Sequence, residues 1–167
     1  QGLKYFDGRG VEQNYEKALE YLCLAGASAL EDEWNSPEVL RVDESDFDDD
    51  RENLLVDEDS KRIFEWCLGF AQKGCCKSQF VIAYFYALGI GVNIDEGEAF
   101  EWYLKSAKQS YRPAQYAVGI CYKYEVGAMY DEAEYVYWFT KAAETGDVRA
   151  QYLLGSENMY GLIDTAD

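Results

Sequence analysis

The sequence predicts an all-α fold, an α-α superhelix (solenoid) of 36-residue helix-turn-helix repeats. Two observations carry this. Trp66, Trp102 and Trp138 stand 36 residues apart, as do Gln79, Gln115 and Gln151, and again Asp59, Asp95 and Asp131. The stretch 78–110 shows what one repeat contains. Its apolar run from Phe80 to Leu88 is long enough for about two and a half helical turns. Gly89 and Gly91 break the run, and Asp95 then precedes a second apolar-periodic segment through Ala99, Trp102, Tyr103 and Ala107. Asp95 suits an N-cap, and Glu98 three residues on completes a capping box. A helix, a glycine turn and a second helix make an αα-hairpin. Its recurrence at a fixed interval is the signature of an α-solenoid.

The elements follow in order. Residues 2–11, GLKYFDGRGV, align with residues 83–92, AYFYALGIGV, so the chain opens inside a first helix. Asn14 is the expected cap of the following helix, with Ala18 and Tyr21 where Ala99 and Trp102 stand. From Tyr21 to Trp66 is one repeat plus nine residues. Ser36-Pro37-Glu38 reads as a helix start, with a short, degenerate helix over 37–42. Residues 43–58 are expected to form an acidic, mobile insertion in the turn of that repeat. Asp59 is the next expected cap, for a helix running to Gly74. Pro113 opens another hairpin, whose turn carries Gly127 in the place of Gly91 but Glu125 in the place of Gly89. Asp131, with Glu134 behind it, caps a helix ending at Gly146, and Ala150 to Tyr160 begins a further unit. The caps then form a ladder from Asn14 to Asp167. Neither end shows the polar capping face that terminal repeats need, so residues 1–167 are expected to be a single solenoid domain cut from a longer array, or one with its ends covered by a partner.

Composition narrows the function classes. The 167 residues are 49% hydrophobic and 16% aromatic, and the net charge is −17. Residues 31–60 hold 14 acids against Arg41 and Arg51, a net of −12. The repeats themselves are therefore only mildly acidic. Nucleic acid is a poor ligand for such a surface, because phosphates require a basic face. A basic protein partner, or a cation, is the electrostatic expectation. The chain has no His, which removes the usual catalytic base and the commonest metal ligand. Its cysteines, at 23, 67, 75, 76 and 121, are odd in number and form no CxxC, so they read as free thiols and favour a reducing compartment. No run of 18 apolar residues exists to span a membrane, and no signal peptide is visible, although a start at Gln1 leaves a removed leader open.

These residues resemble the Sel-one-like repeat, a relative of the tetratricopeptide repeat. Ala114, Val118, Gly119 and Tyr122 match the first helix of that pattern. Gly89, Gly91, Val92 and Asp95 match its turn and cap, and Trp138, Lys141, Ala142, Ala143 and Gly146 match its second helix. The match covers the chain except residues 27–58. The resemblance implies a superhelix of hairpins acting as a scaffold or adaptor. Relatives sit in ubiquitin-ligase membrane complexes, in signalling assemblies and in bacterial proteins that meet host factors. A cysteine-rich bacterial subgroup pairs Cys across each hairpin; Cys67 and Cys75 have its interval but the wrong register relative to Trp66.

Candidate sites follow from both readings. Positions of the first helices that the packing pattern leaves unused are expected to bind a protein or peptide partner: Val81, Tyr84 and Phe85, then Ala117, Ile120 and Cys121, then Leu153, Ser156 and Glu157. Tyr84 and Phe85 are the aromatic anchors among them, unless they pack against the adjacent helix. The acidic turn offers Asp46, Asp48 and Asp50 to a basic partner. With Asp57 twelfth, their spacing also resembles a calcium loop, but Arg51 stands where such a loop needs Gly. Cys75-Cys76, at a helix end, is either packed or reactive. No carboxylate pair is singled out for catalysis, and neither cofactor nor metal is assigned. An enzyme acting on cell-wall material is the weakest reading, resting on analogy with the cysteine-rich relatives alone.

Overall fold

The computed structural model describes residue 14 and residues 17–24 and 58–159, the last three by their backbone alone. Among the described residues there are seven helical stretches and no strand. They are α1 (17–24), α2 (Glu58–Gln72), α3 (Cys76–Leu88), α4 (Glu96–Ala107), α5 (Arg112–Tyr124), α6 (Glu132–Glu144) and α7 (Val148–Met159). From α2 onward each helix packs against the next along the chain. First helices α3, α5 and α7 alternate with second helices α2, α4 and α6.

Caps set the starts of the second helices. The Asp95 side chain accepts from the Glu98 N–H at 2.9 Å, and Asp131 accepts from Glu134 at 3.1 Å. Asn14 does the same for the Lys17 N–H at 2.9 Å. Asp59 does not cap α2: the helix already includes Glu58, and Asp59 sits in its first turn, where its carboxylate accepts from Arg62 at 3.3 Å. Acidic side chains there suit the positive end of the helix dipole. The expected degenerate helix over 37–42 and the acidic insertion lie outside the described residues.

The glutamine ladder joins one hairpin to the next. The Gln79 amide donates to the Ala71 carbonyl, and that of Gln151 to Ala143, both at 3.1 Å. Each thus adds a second donor to a carbonyl in the last turn of a second helix, beside the Gly74 or Gly146 N–H at 3.0 Å. The Gln79 oxygen in turn accepts from Gln109 at 2.7 Å, and the Gln115 oxygen from Thr145 at 3.5 Å. Aromatic pairs repeat in the same way. Phe64 meets Tyr86 edge-on at 5.4 Å between ring centroids, and 36 residues on Phe100 meets Tyr122 at 5.2 Å. Gly119 gives Phe139 room to lie against α5, whereas Gly155 faces open space.

Candidate interaction surface

The first helices α3 and α5 are interior elements. On α3, Val81 is 0% and Phe85 2% exposed; on α5, Ala117 is 0% and Ile120 and Cys121 are each 2% exposed. These five positions, read from the sequence as free for a partner, are packed in the hydrophobic core. The reason is physical: α5 is buried without a break from Ala114 to Cys121, and α3 carries apolar residues all round. A helix hydrophobic on every side is a buried one. Of the six, Tyr84 alone keeps a half-buried ring at the margin of the core. On α7, Leu153 and Ser156 are half-buried, and nothing is described of the Glu157 side chain. Asp46, Asp48, Asp50 and Asp57 lie outside the described residues.

The exposed apolar side chains stand elsewhere. Ile94 and Tyr130 occupy equivalent positions 36 residues apart, just before the caps Asp95 and Asp131, and both are exposed. Tyr137 is exposed on the outside of α6, where the preceding repeat has Glu101. Tyr152 on α7 is 74% exposed, whereas its equivalents Phe80 and Tyr116 are in the core. Sequence reading missed Tyr137 because it departs from the repeated pattern, and that departure is the signal that could have found it; Tyr130 could have been found from Ile94, its equivalent before the preceding cap.

A groove of about 530 Å³ opens where the first helices begin. Lys77 and Arg112 line it as cations and Glu20 as an acid, and Leu24 and Pro113 supply apolar walls. Arg112 also donates to the Thr145 carbonyl at 3.3 Å. One repeat further on, Asp147 sits before α7 and is 5% exposed. Its Oδ1 accepts from the backbone N–H groups of Arg149 and Ala150 at 3.1 and 3.3 Å. The Arg149 guanidinium donates to Oδ1 through Nε at 3.1 Å and to Oδ2 through Nη2 at 2.7 Å, and lies 4.2 Å from the Tyr116 ring centroid. Burial acts to raise the Asp147 pKa, but the Arg149 hydrogen bonds and charge, with the two backbone donors, together hold it below the ordinary carboxylate value.

Burial disfavours the thiolate at three of the cysteines. Burial pushes Cys23 up to about 11, against a weaker opposing hydrogen bond from Tyr111. Burial pushes Cys121 up to about 12 and raises Cys67 as well. The five cysteines are free; Cys75 and Cys76 are half-exposed. Among the described residues no three His, Cys, Asp or Glu gather as a metal site, and no helix is long and apolar enough to cross a membrane.

The Sel1 repeat family model matches residues 2–29, 76–111, 112–147 and 148–166. The structure is similar to a Sel1 repeat protein from Oxalobacter formigenes, with a TM-score of 0.58 and 24% identity over 93% of this chain and 83% of that one. It is also similar to a protective antigen of uropathogenic Escherichia coli that displays an SLR fold, with a TM-score of 0.60 and 23% identity. That alignment covers 99% of this chain and 41% of the antigen. At these identities the likeness is one of fold. No curated protein matches the chain.

Proposed function

The chain belongs to the Sel1 repeat family, and from that premise we propose that it is a non-enzymatic scaffold that holds a protein or peptide partner on its helical surface. The observation that carries this reading is the array of equivalent hairpins over most of the chain, since Sel1 repeats generally serve as protein-interaction modules. Each hairpin contributes to a rigid frame and leaves its non-packing positions to vary. On the face formed by the first helices we assign the contact to Tyr84. Val81, Phe85, Ala117, Ile120 and Cys121 hold that face in shape from beneath. A partly buried Tyr offers a large rigid contact with a polar tip, a common kind of hot spot. The test is quantitative affinity capture with the unaltered chain and with Tyr84→Ala. A specific protein retained by the first, and retained about tenfold less by the second, is the expected result for loss of a hot-spot aromatic. Absence of any specific partner, or equal retention, would overturn the assignment.

A second reading rests on the net charge of −12 over residues 31–60. In it the acidic stretch 43–58, with Asp46, Asp48 and Asp50, engages a basic partner. Deleting 43–58 should then weaken capture, and so should raising the salt, because exposed charges are screened. Capture unchanged by the deletion would remove this reading and leave the first in place.

A further inference from the structure

One spacing recurs on both helices of each complete hairpin: an aromatic residue and, three positions on, a small one. Positions three apart lie on one helix face. On α3 the pair is Phe80 and Ala83, and on α4 it is Tyr103 and Ser106; all four are buried, and the two rings lie 5.5 Å apart between centroids. In the next hairpin α5 carries Tyr116 and Gly119, and α6 carries Phe139 and Ala142. Those rings are 5.7 Å apart, and the Phe139 ring lies over Gly119, 2.5 Å from where a Cβ would stand. Because the two helices run antiparallel, Phe139 over Gly119 sets Ala142 towards Tyr116. Knob and hole are thus exchanged between two helices that carry the same spacing. The helix α7 repeats it once more, with Tyr152 and Gly155, and here both are open. Tyr152 is 74% exposed, and nothing lies within 4 Å of a Cβ built on Gly155.

We propose that this face of α7 is a self-association site, at which two copies of the chain pair their α7 helices antiparallel about a twofold axis. The axis passes between Leu153 and Leu154, and the Tyr152 ring of each copy lies over the Gly155 of the other, as Phe139 lies over Gly119. A second copy is the occupant because it carries the matching spacing by necessity. The face is its own complement, as an isologous interface requires. Charge agrees with this. Residues 148–159 hold one Arg and one Glu, and Arg149 is already paired with Asp147 at 2.7 Å. The pairing helices therefore bring together no net charge, although the chain as a whole carries −17. The contact is a single helix pair about 18 Å long, smaller than a standard interface, and the rest of each copy repels the other. Association is accordingly weak at low salt and tightens as salt screens that repulsion. This goes beyond the scaffold reading, which concerns a different protein, and its failure would leave the Tyr84 assignment untouched.

The test is equilibrium sedimentation of the whole chain at low and high salt, with a reductant present to keep the half-exposed Cys75 and Cys76 from cross-linking. The mass should rise from one chain towards two with concentration, and more steeply at high salt. Gly155→Ala should weaken association about tenfold or more, because it fills the hole that the aromatic ring enters. Alanine is a better helix former than glycine, so the melting temperature of this variant should not fall, which separates a lost contact from a damaged fold. Tyr152→Ser should weaken association to a similar degree. Tyr137→Ser, at an exposed tyrosine on α6, should leave it unchanged. A chain that stays monomeric up to about 1 mM, the weak end of specific binding, would overturn the proposal. So would association that weakens with salt, that survives both α7 substitutions, or that is lost equally on Tyr137→Ser.

Discussion

Gly127 lies against the backbone of Glu96, so close that a Cβ at Gly127 would overlap the Glu96 carbonyl. Gly91 stands in the same relation to Ser60, one repeat earlier. The second glycine of each hairpin turn thus does two things. It takes a positive φ, 67° at Gly127 and 70° at Gly91, and it lets the turn touch the start of the preceding hairpin's second helix. Gly127→Ala should therefore destabilise the fold by about 2 kcal/mol or more, combining left-handed strain with a backbone clash. Urea unfolding with an unchanged slope would measure it. Gly69→Ala is the control. Gly69 lies inside α2 with no neighbouring atom within 4 Å of an added Cβ, so Ala there should add about 0.5–1 kcal/mol.

Ser110 predicts a change in the opposite direction. It follows α4 at φ 62°, where the equivalent residues after α2 and α6 are Gly74 and Gly146, at 92° and 88°. A non-glycine residue in the left-handed region costs about 1–2 kcal/mol. Ser110→Gly should recover about 1 kcal/mol, less whatever glycine adds to the freedom of the unfolded chain. Glu125 is in the same position after α5, at φ 61° where α3 is followed by Gly89. Thermal melts of Ser110→Gly and of the double variant with Glu125→Gly should rise in steps. A fall in either would mean that the native side chain makes a contact worth more than its strain.

The repeat was legible because its residues recur for one physical reason in every copy: Asp95 and Asp131 cap, Gly91 and Gly127 admit the neighbouring backbone, and Gln79 and Gln151 tie each first helix to the end of the second helix before it. What was misread departs from that average or depends on three-dimensional surroundings. Val81, Phe85, Ala117, Ile120 and Cys121 were assigned to a free face because the pattern does not require them, yet helices enclosed by neighbours bury every face. The run Phe80 to Ala83, with no polar residue in a full turn, already carried that information. Asp147 went unnoticed as a cap because its equivalents are Cys75 and Tyr111, so no ladder pointed to it.

Thiol labelling tests the packing of the first helices directly. Cys23, Cys67 and Cys121 are 7%, 0% and 2% exposed, and burial keeps them protonated, while Cys75 and Cys76 are half-exposed. Since the thiolate is the reactive species, iodoacetamide at pH 8 should modify Cys75 and Cys76 first in the folded protein. Mass spectrometry should find the other three modified only after denaturation. Rapid native labelling of Cys121 would show that α5 is not enclosed as described.

The Asp147–Arg149 pair should make stability depend on acid in a defined direction. Its folded pKa lies below the ordinary value of 3.8. The ionised form is thus favoured by folding, so the contribution is fully present above that value and is lost as pH falls through the folded pKa. Asp147→Asn keeps the size but removes the charge that Arg149 and two backbone donors hold, at a cost of about 1–2 kcal/mol near neutrality. The chain's 32 acidic residues also titrate as the solution is acidified, so the melting temperature of one protein alone would mix their effects with this one. The difference between the two melting temperatures isolates it. It should be constant from pH 7 to about 5, and should narrow as pH falls below about 4, where the unfolded carboxyl takes up its proton. A non-zero difference that stays constant down to pH 3 would mean that the carboxylate's charge contributes nothing, and that Asp147 holds α7 through a contact independent of its charge that Asn does not reproduce.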